Sequence, residues 1–311
     1  MFWYLKEAWA VLATAGSDWV EDKASRLGAA LAFYSILSLA PLLVISIAVA
    51  AMFFDEAAAR GELVTQMRGT VGTEGAKAIE AMLDNADKPK TGSMAAILGV
   101  ITLLFGASGV FGQLQDAMNT IWEVKPKEGR GIWGMIQDRF LSLAMVFGTG
   151  FLLLISLVLS AGISGAGGYL GNIWPGFEAF WHFAHGIVSF LIITLLFALI
   201  FKFLPDAQVS WRDVWVGAAL TAALFTIGKL LIGLYLGKSA MSSAYGAAGS
   251  FVILVVWIYY SAQILFFGAE ITQVFAKRYG TKIVPKPGAT AVTEEKRAQE
   301  GLTSHGKARP A

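Results

Sequence analysis

The residues in this chain that could do chemistry are polar side chains set inside long apolar segments. Lys229 is the clearest case, because it stands in LFTIGKLLIGLYLG, one turn from Thr226. Ionisable groups are costly inside a bilayer and usually face a cavity, a bundle interior or a partner charge. We therefore expect Lys229 to bind a substrate or to form an internal ion pair. The alternative is that its long stem carries the ammonium to the outer membrane surface.

A second polar stripe lies on the last apolar segment. Tyr259, Gln263 and Glu270 are spaced by four and seven residues, which places them within one narrow face of an α-helix. This face is a candidate wall of a cavity. Two alternatives stay open, since Glu270 could mark the cytoplasmic end of the segment and Tyr259 could serve packing.

A third group is predicted on the first apolar segment. Tyr34, Ser38 and Pro41 share one helical face. Pro41 also removes the backbone hydrogen bond to the carbonyl of Leu37, which permits a kink. Kinked helices suit cavities and gating, although they also occur in purely structural bundles.

The second apolar segment ends in a fourth polar group. Gln115 and Asn119 share a face, and Asp116 lies beside it. Helix packing explains the glycines that precede them, but it does not explain three polar residues at this depth. We predict that they form a polar network with Arg139.

One spacing resembles a metal site. Glu178, His182 and His185 stand at i, i+4 and i+7 on a predicted helix, and two histidines with a carboxylate can bind zinc. No basic or catalytic partner is nearby in the sequence, so histidines at the membrane surface are the default interpretation. We expect no metal and no cofactor.

The composition indicates a membrane protein as the framework for these residues. Apolar residues make up 56% and charged residues 15% of the 311, with a mean hydropathy of +0.61 and no cysteine. About 20 mostly apolar residues cross a bilayer as a helix. Six segments qualify: 28–54, 94–114, 140–163, 183–204, 214–236 and 247–272. The predicted fold is all-α, a polytopic membrane protein of six transmembrane helices.

The distribution of basic residues orients these spans. Of the 24 Lys and Arg, 17 fall on the side that holds both ends of the chain, six fall on the other side, and Lys229 lies within a span. Cytoplasmic connections carry the excess of positive charge. Both termini are therefore predicted to be cytoplasmic.

The predicted organisation has three parts. Residues 1–25 form an amphipathic helix at the membrane interface, with no cleavable signal peptide expected. Residues 26–280 form the membrane domain, with an external connection at 55–92 built from two short amphipathic helices. Residues 281–311, with three prolines and many charged residues, are predicted to be a disordered cytoplasmic tail.

Four long stretches of the sequence have a distinctive combination of residues: RLGAALAFYSILSLAPLL, FGASGVFGQLQDAMNTIWEV, LPDAQVSWRDVWVGAALTAALFTIGKLLIGLYLG and SAYGAAGSFVILVVWIYYSAQILFFGAEITQVFA. They cover most of residues 26–280. In these stretches the sequence resembles the YihY/virulence factor BrkB family of bacterial inner-membrane proteins. The resemblance implies a multi-pass protein of the bacterial cytoplasmic (inner) membrane, with six spans and cytoplasmic ends, but no settled activity.

Some members of that family carry the label ribonuclease BN. A metal-dependent nuclease needs a cluster of histidines and aspartates on a soluble scaffold, which this sequence does not contain. We expect neither nuclease activity nor a nucleic-acid partner.

Three functions fit the sequence. The first is a non-enzymatic transporter or flippase for a small amphipathic or lipid-like molecule, which would pass a cavity lined by the polar residues above. The second is a non-transporting scaffold or assembly factor of the envelope, which would use the external connection. The third is an intramembrane enzyme acting on lipid through Glu178, His182 and His185. Membrane lipids are the expected surroundings in each case.

Overall fold

The computed structural model describes residues 2–51, 55–86, 109–127, 148, 178–238, 249–280 and 283–299. The helices are α1 (Phe2–Glu21), α2 (Ala24–Ala51), α3 (Glu56–Ala86), α4 (109–121), α5 (Glu178–Phe203), α6 (Trp211–Lys238), α7 (Gly249–Tyr279) and α8 (Glu294–Gln299). The strands are β1 (Val124–Pro126), β2 (Ala207–Gln208), β3 (Val284–Pro285) and β4 (Ala289–Ala291). The described part is mainly helical, as the all-α prediction requires.

Three of these helices are long and apolar enough to cross a membrane. The qualifying stretches are Gly186–Phe203 in α5, Trp211–Ile232 in α6 and Gly249–Tyr279 in α7. A shorter apolar stretch, Ala24–Leu39, lies in α2. Most of the predicted spans 94–114 and 140–163 lies outside the described residues, so the count of six spans stays a prediction.

The outward faces of these helices carry large apolar side chains. The exposed examples on α2, α5 and α6 include Phe33, Leu37, Phe183, Ile187, Leu191, Val216, Ile227, Leu230 and Leu231. A soluble protein rarely exposes apolar patches of this extent. Surrounding lipid accounts for them, since hydrocarbon tails are as apolar as these side chains.

Helix α7 is the centre of the described bundle, because it packs against α1, α2, α3 and α6. Towards its C-terminal end, a large apolar cluster joins it to α2, α4, α5 and α6, with Trp122, Phe201 and Phe266 fully buried. Towards its N-terminal end, Leu254 joins a second cluster made by α2 and α3. The two ends of α7 therefore pack against different sets of helices.

The α6–α7 contact depends on small residues at the interface. A Cβ added to Gly217 would lie 1.8 Å from Thr272 Oγ1, and one added to Gly268 would lie 2.0 Å from Thr221 Oγ1. Each threonine hydroxyl donates a 2.7 Å hydrogen bond to the carbonyl of a glycine on its own helix, Gly217 or Gly268. Small residues allow membrane helices to approach this closely.

Helix α3 occupies the predicted external connection. It consists of two helical pieces that meet at Gly72, whose φ of 80° and ψ of 174° are outside the helical region. A positive φ of this kind favours glycine because it has no Cβ. Leu63, Val64, Ile79 and Leu83 are buried in the cluster with α2 and α7. Helix α3 therefore packs on the bundle instead of forming a separate domain.

Four short strands join distant parts of the chain into a structure that we call the polar cap. The polar cap comprises the turn at Asp22–Lys23, the strands β1 to β4 with their loops, and α8. β1 pairs antiparallel with β4, and β2 pairs antiparallel with β3. The prediction of a disordered tail is therefore wrong for residues 283–299, because β3 and β4 in this segment pair with β2 and β1 from earlier in the chain.

A buried ion pair fixes the end of this tail to the start of the chain. Arg297 Nη2 pairs with Asp22 Oδ1, and their side chains are 3% and 0% exposed. Arg297 Nη1 also lies 3.8 Å from Glu123 Oε1, and Lys277 Nζ lies 3.2 Å from Glu123 Oε2. The sequence pattern missed these contacts because they join residues up to 275 positions apart.

We expect Arg297→Ala to lower the melting temperature in detergent and to expose residues 283–299 to protease. Loss of the guanidinium leaves the carboxylate of Asp22 buried without its cation, which costs about 3–5 kcal/mol. Arg60→Ala, which breaks the exposed pair Arg60–Asp84, is the matched control and should cost less than about 1 kcal/mol. Equal effects of the two changes would contradict this account of the polar cap.

Candidate functional site

The predicted site residues with described side chains are spread over several places. One pair lies between α4 and the α5–α6 connection, a second pair lies at the α2–α7 contact, a third pair on α2 faces α4, and the others lie separately on their helices. The described part of the structure therefore does not bring them around one cavity.

The first place is the contact of α4 with the connection between α5 and α6. Asn119 Nδ2 donates to Asp206 Oδ2 at 3.0 Å, and the backbone N–H of Asp206 donates to Asn119 Oδ1 at 2.7 Å. Gln115 Nε2 lies 3.4 Å from Asp206 Oδ1. Asp116 is on the exposed side of α4. Gln115 and Asn119 thus hold the α5–α6 connection, whereas Arg139, their predicted partner, lies outside the described residues.

Lys286 extends this arrangement to the tail. Its ammonium donates to the carbonyl of Phe203 at 3.0 Å, at the C-terminal end of α5, and its backbone N–H donates to the carbonyl of Asp206 at 2.8 Å. Burial lowers the pKa of Lys286, an effect that Asp206 opposes and Lys202 reinforces. A cation at a helix C-terminus is favourable because it meets unsatisfied carbonyls.

Glu270, Thr272 and Gln273 of α7 are fully buried. Gln273 Nε2 donates to the carbonyl of Ile121 at 2.6 Å, which ties α7 to the last turn of α4. Glu270, one turn away, is also fully buried. The side chain of Glu270 therefore lies inside the bundle, and its place at the cytoplasmic end of the span stays a prediction.

Of the group predicted on α2, the side chains of Tyr34 and Ser38 are described and that of Pro41 is not. Ser38 is buried and Tyr34 is partly exposed, and a Cβ added to Gly109 on α4 would lie 3.5 Å from Ser38 Oγ and 3.7 Å from the Tyr34 ring. These two residues face α4. The backbone of Pro41 is helical within α2, but its side chain is not among those described, so the predicted kink stays a prediction.

Lys229 is partly buried on α6. It makes no ion pair with any residue of the described ranges. Its neighbours Gly228 and Leu231 line a cavity, but Lys229 is not part of that lining. The structure thus leaves the two interpretations of Lys229 open.

The cavity is a groove of about 450 Å³ between α1, α6 and α7. Its lining residues are Trp19, Leu224, Ile227, Gly228, Leu231, Tyr260, Gln263, Ile264 and Phe267. Ile227 and Leu231 are also exposed on the outer face of α6, so the groove opens sideways. We call this cavity the side groove. Its lining residues on α7 lie midway along the apolar stretch Gly249–Tyr279, and those on α6 lie in the C-terminal half of the stretch Trp211–Ile232.

Gln263 has an unusual environment in the side groove. Its Nε2 and Oε1 are both buried and make no hydrogen bond with any described residue. The amide lies against α2, where a Cβ added to Gly28 would meet Nε2 at 2.0 Å and the Tyr259 ring at 3.5 Å. Trp19 Nε1 is likewise buried without a hydrogen bond. Buried polar groups left in this state cost about 1–3 kcal/mol each.

Sequence reasoning found part of this site. It selected Gln263 and Tyr259 from their helical spacing, and both lie where α7 meets α2 at Gly28. It missed the contribution of Tyr260 and placed Trp19 at the membrane interface only. The lining by Trp19 depends on how α1 packs, with Val11 and Ala15 against α7, and no local pattern reveals that contact.

The described part of the structure does not test whether Glu178, His182 and His185 bind a metal ion. The backbone of Glu178, His182 and His185 belongs to α5, but their side chains are not described. Within the described ranges, no group of three histidine, aspartate or glutamate side chains is arranged to hold a metal ion.

The apolar outer faces and the three long apolar helices define a helical integral membrane protein. Residues 15–293 match the family described as Virulence factor BrkB. Since the match covers most of the chain, the chain belongs to this family.

Its relatives are similar membrane proteins. A UPF0761 membrane protein of Glaesserella parasuis is 25% identical over 63% of this chain and 65% of its own length. One of Verminephrobacter eiseniae is 28% identical over 80% of this chain and 59% of its own, and one of Mannheimia succiniciproducens is 27% identical over 82% and 85%. The chain thus spans about two thirds or less of the first two relatives. No solved structure matches the chain.

We expect Asn119→Ala to loosen the α5–α6 connection. The change removes the acceptor for the Asp206 backbone N–H and a donor to its carboxylate, at about 1–3 kcal/mol. Thermal unfolding in detergent measures this loss. Asp116→Ala, on the exposed side of the same helix, is the control and should have a smaller effect. A larger loss in Asp116→Ala would contradict the structural role assigned to Asn119.

Proposed function

We propose that this protein is a transporter or flippase-like protein that moves a small amphipathic or lipid-like molecule without catalysing a reaction. The observation that supports this most is the side groove. It is almost entirely apolar, it opens beside the exposed residues Ile227 and Leu231, and one of its lining residues, Gln263, has a buried amide that makes no hydrogen bond within the described ranges. Ligand sites are mostly apolar with a few polar groups.

The position of the side groove favours access from the bilayer. An amphiphile dissolved in one leaflet meets the outer faces of α6 and α7 before it meets water. Inside the membrane, a polar group of that molecule gains from a hydrogen-bonding partner, because hydrocarbon offers none. The Gln263 amide, once turned from Gly28 into the groove, supplies such a partner and lowers the barrier to carrying a polar group across.

We also propose six spans in the bacterial inner membrane, with both ends of the chain in the cytoplasm. The excess of Lys and Arg on one side supports this orientation. An aromatic group at the junction of α5 and α6 supports a membrane boundary there, with Trp211 stacked near Trp215 and Lys202 5.4 Å from the Trp211 ring. Tryptophans with basic residues are typical of the membrane interface.

A scaffold or assembly role is the alternative. It is favoured less, because the apolar face of α3, the element expected to bind a partner, is buried against α2 and α7. The exposed side of α3 carries charged groups such as Arg60 and Asp84, which pair with each other.

The proposed function is tested by following fluorescent amphiphiles across vesicles that contain the purified protein. We expect the protein to speed the transfer of at least one nitrobenzoxadiazole-labelled lipid, measured by its loss of fluorescence to dithionite added outside. Leu231→Trp should reduce this rate about tenfold, because overpacking the groove costs about 1–3 kcal/mol.

Leu230→Trp is the matched control. Leu230 neighbours Leu231 and is similarly exposed, but it is not part of the groove lining. It should transfer lipid at the wild-type rate. If Leu230→Trp and Leu231→Trp lower the rate equally, or if no labelled lipid crosses faster than in empty vesicles, the proposal is wrong.

A further inference from the structure

The side groove carries no charged side chain among its described lining residues. Three of its lining residues have a polar side-chain group: Trp19 with an indole N–H and Gln263 with an amide, both buried, and Tyr260 with a hydroxyl. None of the three is a carboxylate, an ammonium or a guanidinium group. Together they offer several donors and a small number of acceptors.

We propose that the side groove selects an uncharged amphiphile whose polar part bears hydroxyl or carbonyl groups, and excludes anionic lipids. This inference rests on the proposed function, since it names the class of molecule for the same groove. Two independent observations carry it. One is the neutral lining, and the other is the pair of buried polar groups that lack hydrogen bonds.

The neutral lining argues against an anionic head group. A charge moved into an apolar site without a partner charge is strongly disfavoured, because it loses its hydration. Phosphate recognition in proteins relies on arginine, lysine or clustered backbone N–H groups. Lys229 is the cation closest in sequence to the groove residues of α6, but it is not part of the lining.

The unpaired groups argue for a neutral hydrogen-bonding partner. The Gln263 amide is buried beside Gly28, and Trp19 Nε1 is buried with no acceptor among the residues that the structure describes. In the proposed complex, the side chain of Gln263 rotates and turns its amide from Gly28 into the groove. There its N–H groups and the Trp19 indole can donate to a hydroxyl or carbonyl oxygen, and its own oxygen can accept from a hydroxyl.

The volume and the opening of the groove fit part of a lipid. About 450 Å³ is within the range of small-molecule sites, which is about 300–1,000 Å³. A sugar head group or a glycerol with the start of its acyl chains fills such a space. The remaining chain length can lie along the exposed apolar face of α6 at Ile227 and Leu231.

The test compares two lipids with identical acyl chains that carry a photoactivatable diazirine. One is glucosyl diacylglycerol, which is uncharged, and the other is phosphatidylglycerol, which is anionic. The purified protein in nanodiscs is irradiated with each probe, and mass spectrometry measures labelling of the groove residues. We expect at least about tenfold more labelling by the uncharged probe, a difference of about 1.4 kcal/mol.

Each variant is labelled with both probes, and the ratio of the two labelling yields is compared with that of the wild type. This ratio does not depend on the amount of protein obtained. Gln263→Leu keeps the groove apolar but removes the amide, and should lower labelling by the uncharged probe about tenfold. Leu231→Arg puts a cation into the groove and should shift the ratio towards phosphatidylglycerol. Leu230→Arg, outside the lining, should leave the ratio unchanged.

The outcomes separate this inference from the proposed function. Equal or stronger labelling of the groove by phosphatidylglycerol in the wild type overturns the uncharged class and leaves the groove as a lipid site. The same holds if Gln263→Leu does not change the labelling by the uncharged probe. If Leu231→Trp changes the labelling by neither probe, the groove is not the binding site. The proposed function is then wrong as well.

Discussion

Inside a bilayer no water is available to a buried polar group, and this constraint explains how the described part of the structure is arranged. Most of the described polar residues that are buried in the apolar segments form hydrogen bonds with other groups of the protein. Asn119 and Gln115 bind Asp206, Gln273 binds the carbonyl of Ile121, and the hydroxyls of Thr221 and Thr272 bind backbone carbonyls. Because such groups are costly when unpaired, each pairing also fixes the relative position of two segments. Helix α7 is thereby held at the centre of the bundle.

The same constraint distinguishes two regions of the described bundle. At the polar cap, the tail returns to pair with β1 and β2, and Arg297 neutralises the buried Asp22. At the side groove, Gln263 has no hydrogen-bond partner within the described ranges, and the groove opens beside exposed leucine and isoleucine side chains. The first region is stabilised by its polar contacts. In the side groove, the Gln263 amide remains able to form hydrogen bonds with a molecule from the membrane.

Sequence patterns predicted the helices well where apolar segments are long, as in α5, α6 and α7. They also selected Gln263, because a polar residue at helical spacing in an apolar segment is conspicuous. They failed where structure depends on distant contacts. The tail reads as disordered by composition, yet residues 283–299 are ordered by strands and an ion pair formed with residues far earlier in the chain. Gln115 and Asn119 were predicted to line a cavity, and the partner that instead engages them, Asp206, has no distinctive local pattern.

The central claim is that the side groove holds part of a molecule drawn from the bilayer. The most direct measurement is an electron cryo-microscopy map of the protein in nanodiscs made from bacterial lipid. This account predicts elongated density between α6 and α7, with its polar end about 3 Å from the Gln263 amide. A groove filled by the protein's own side chains, with the Gln263 amide hydrogen-bonded to another residue of the chain, would contradict it.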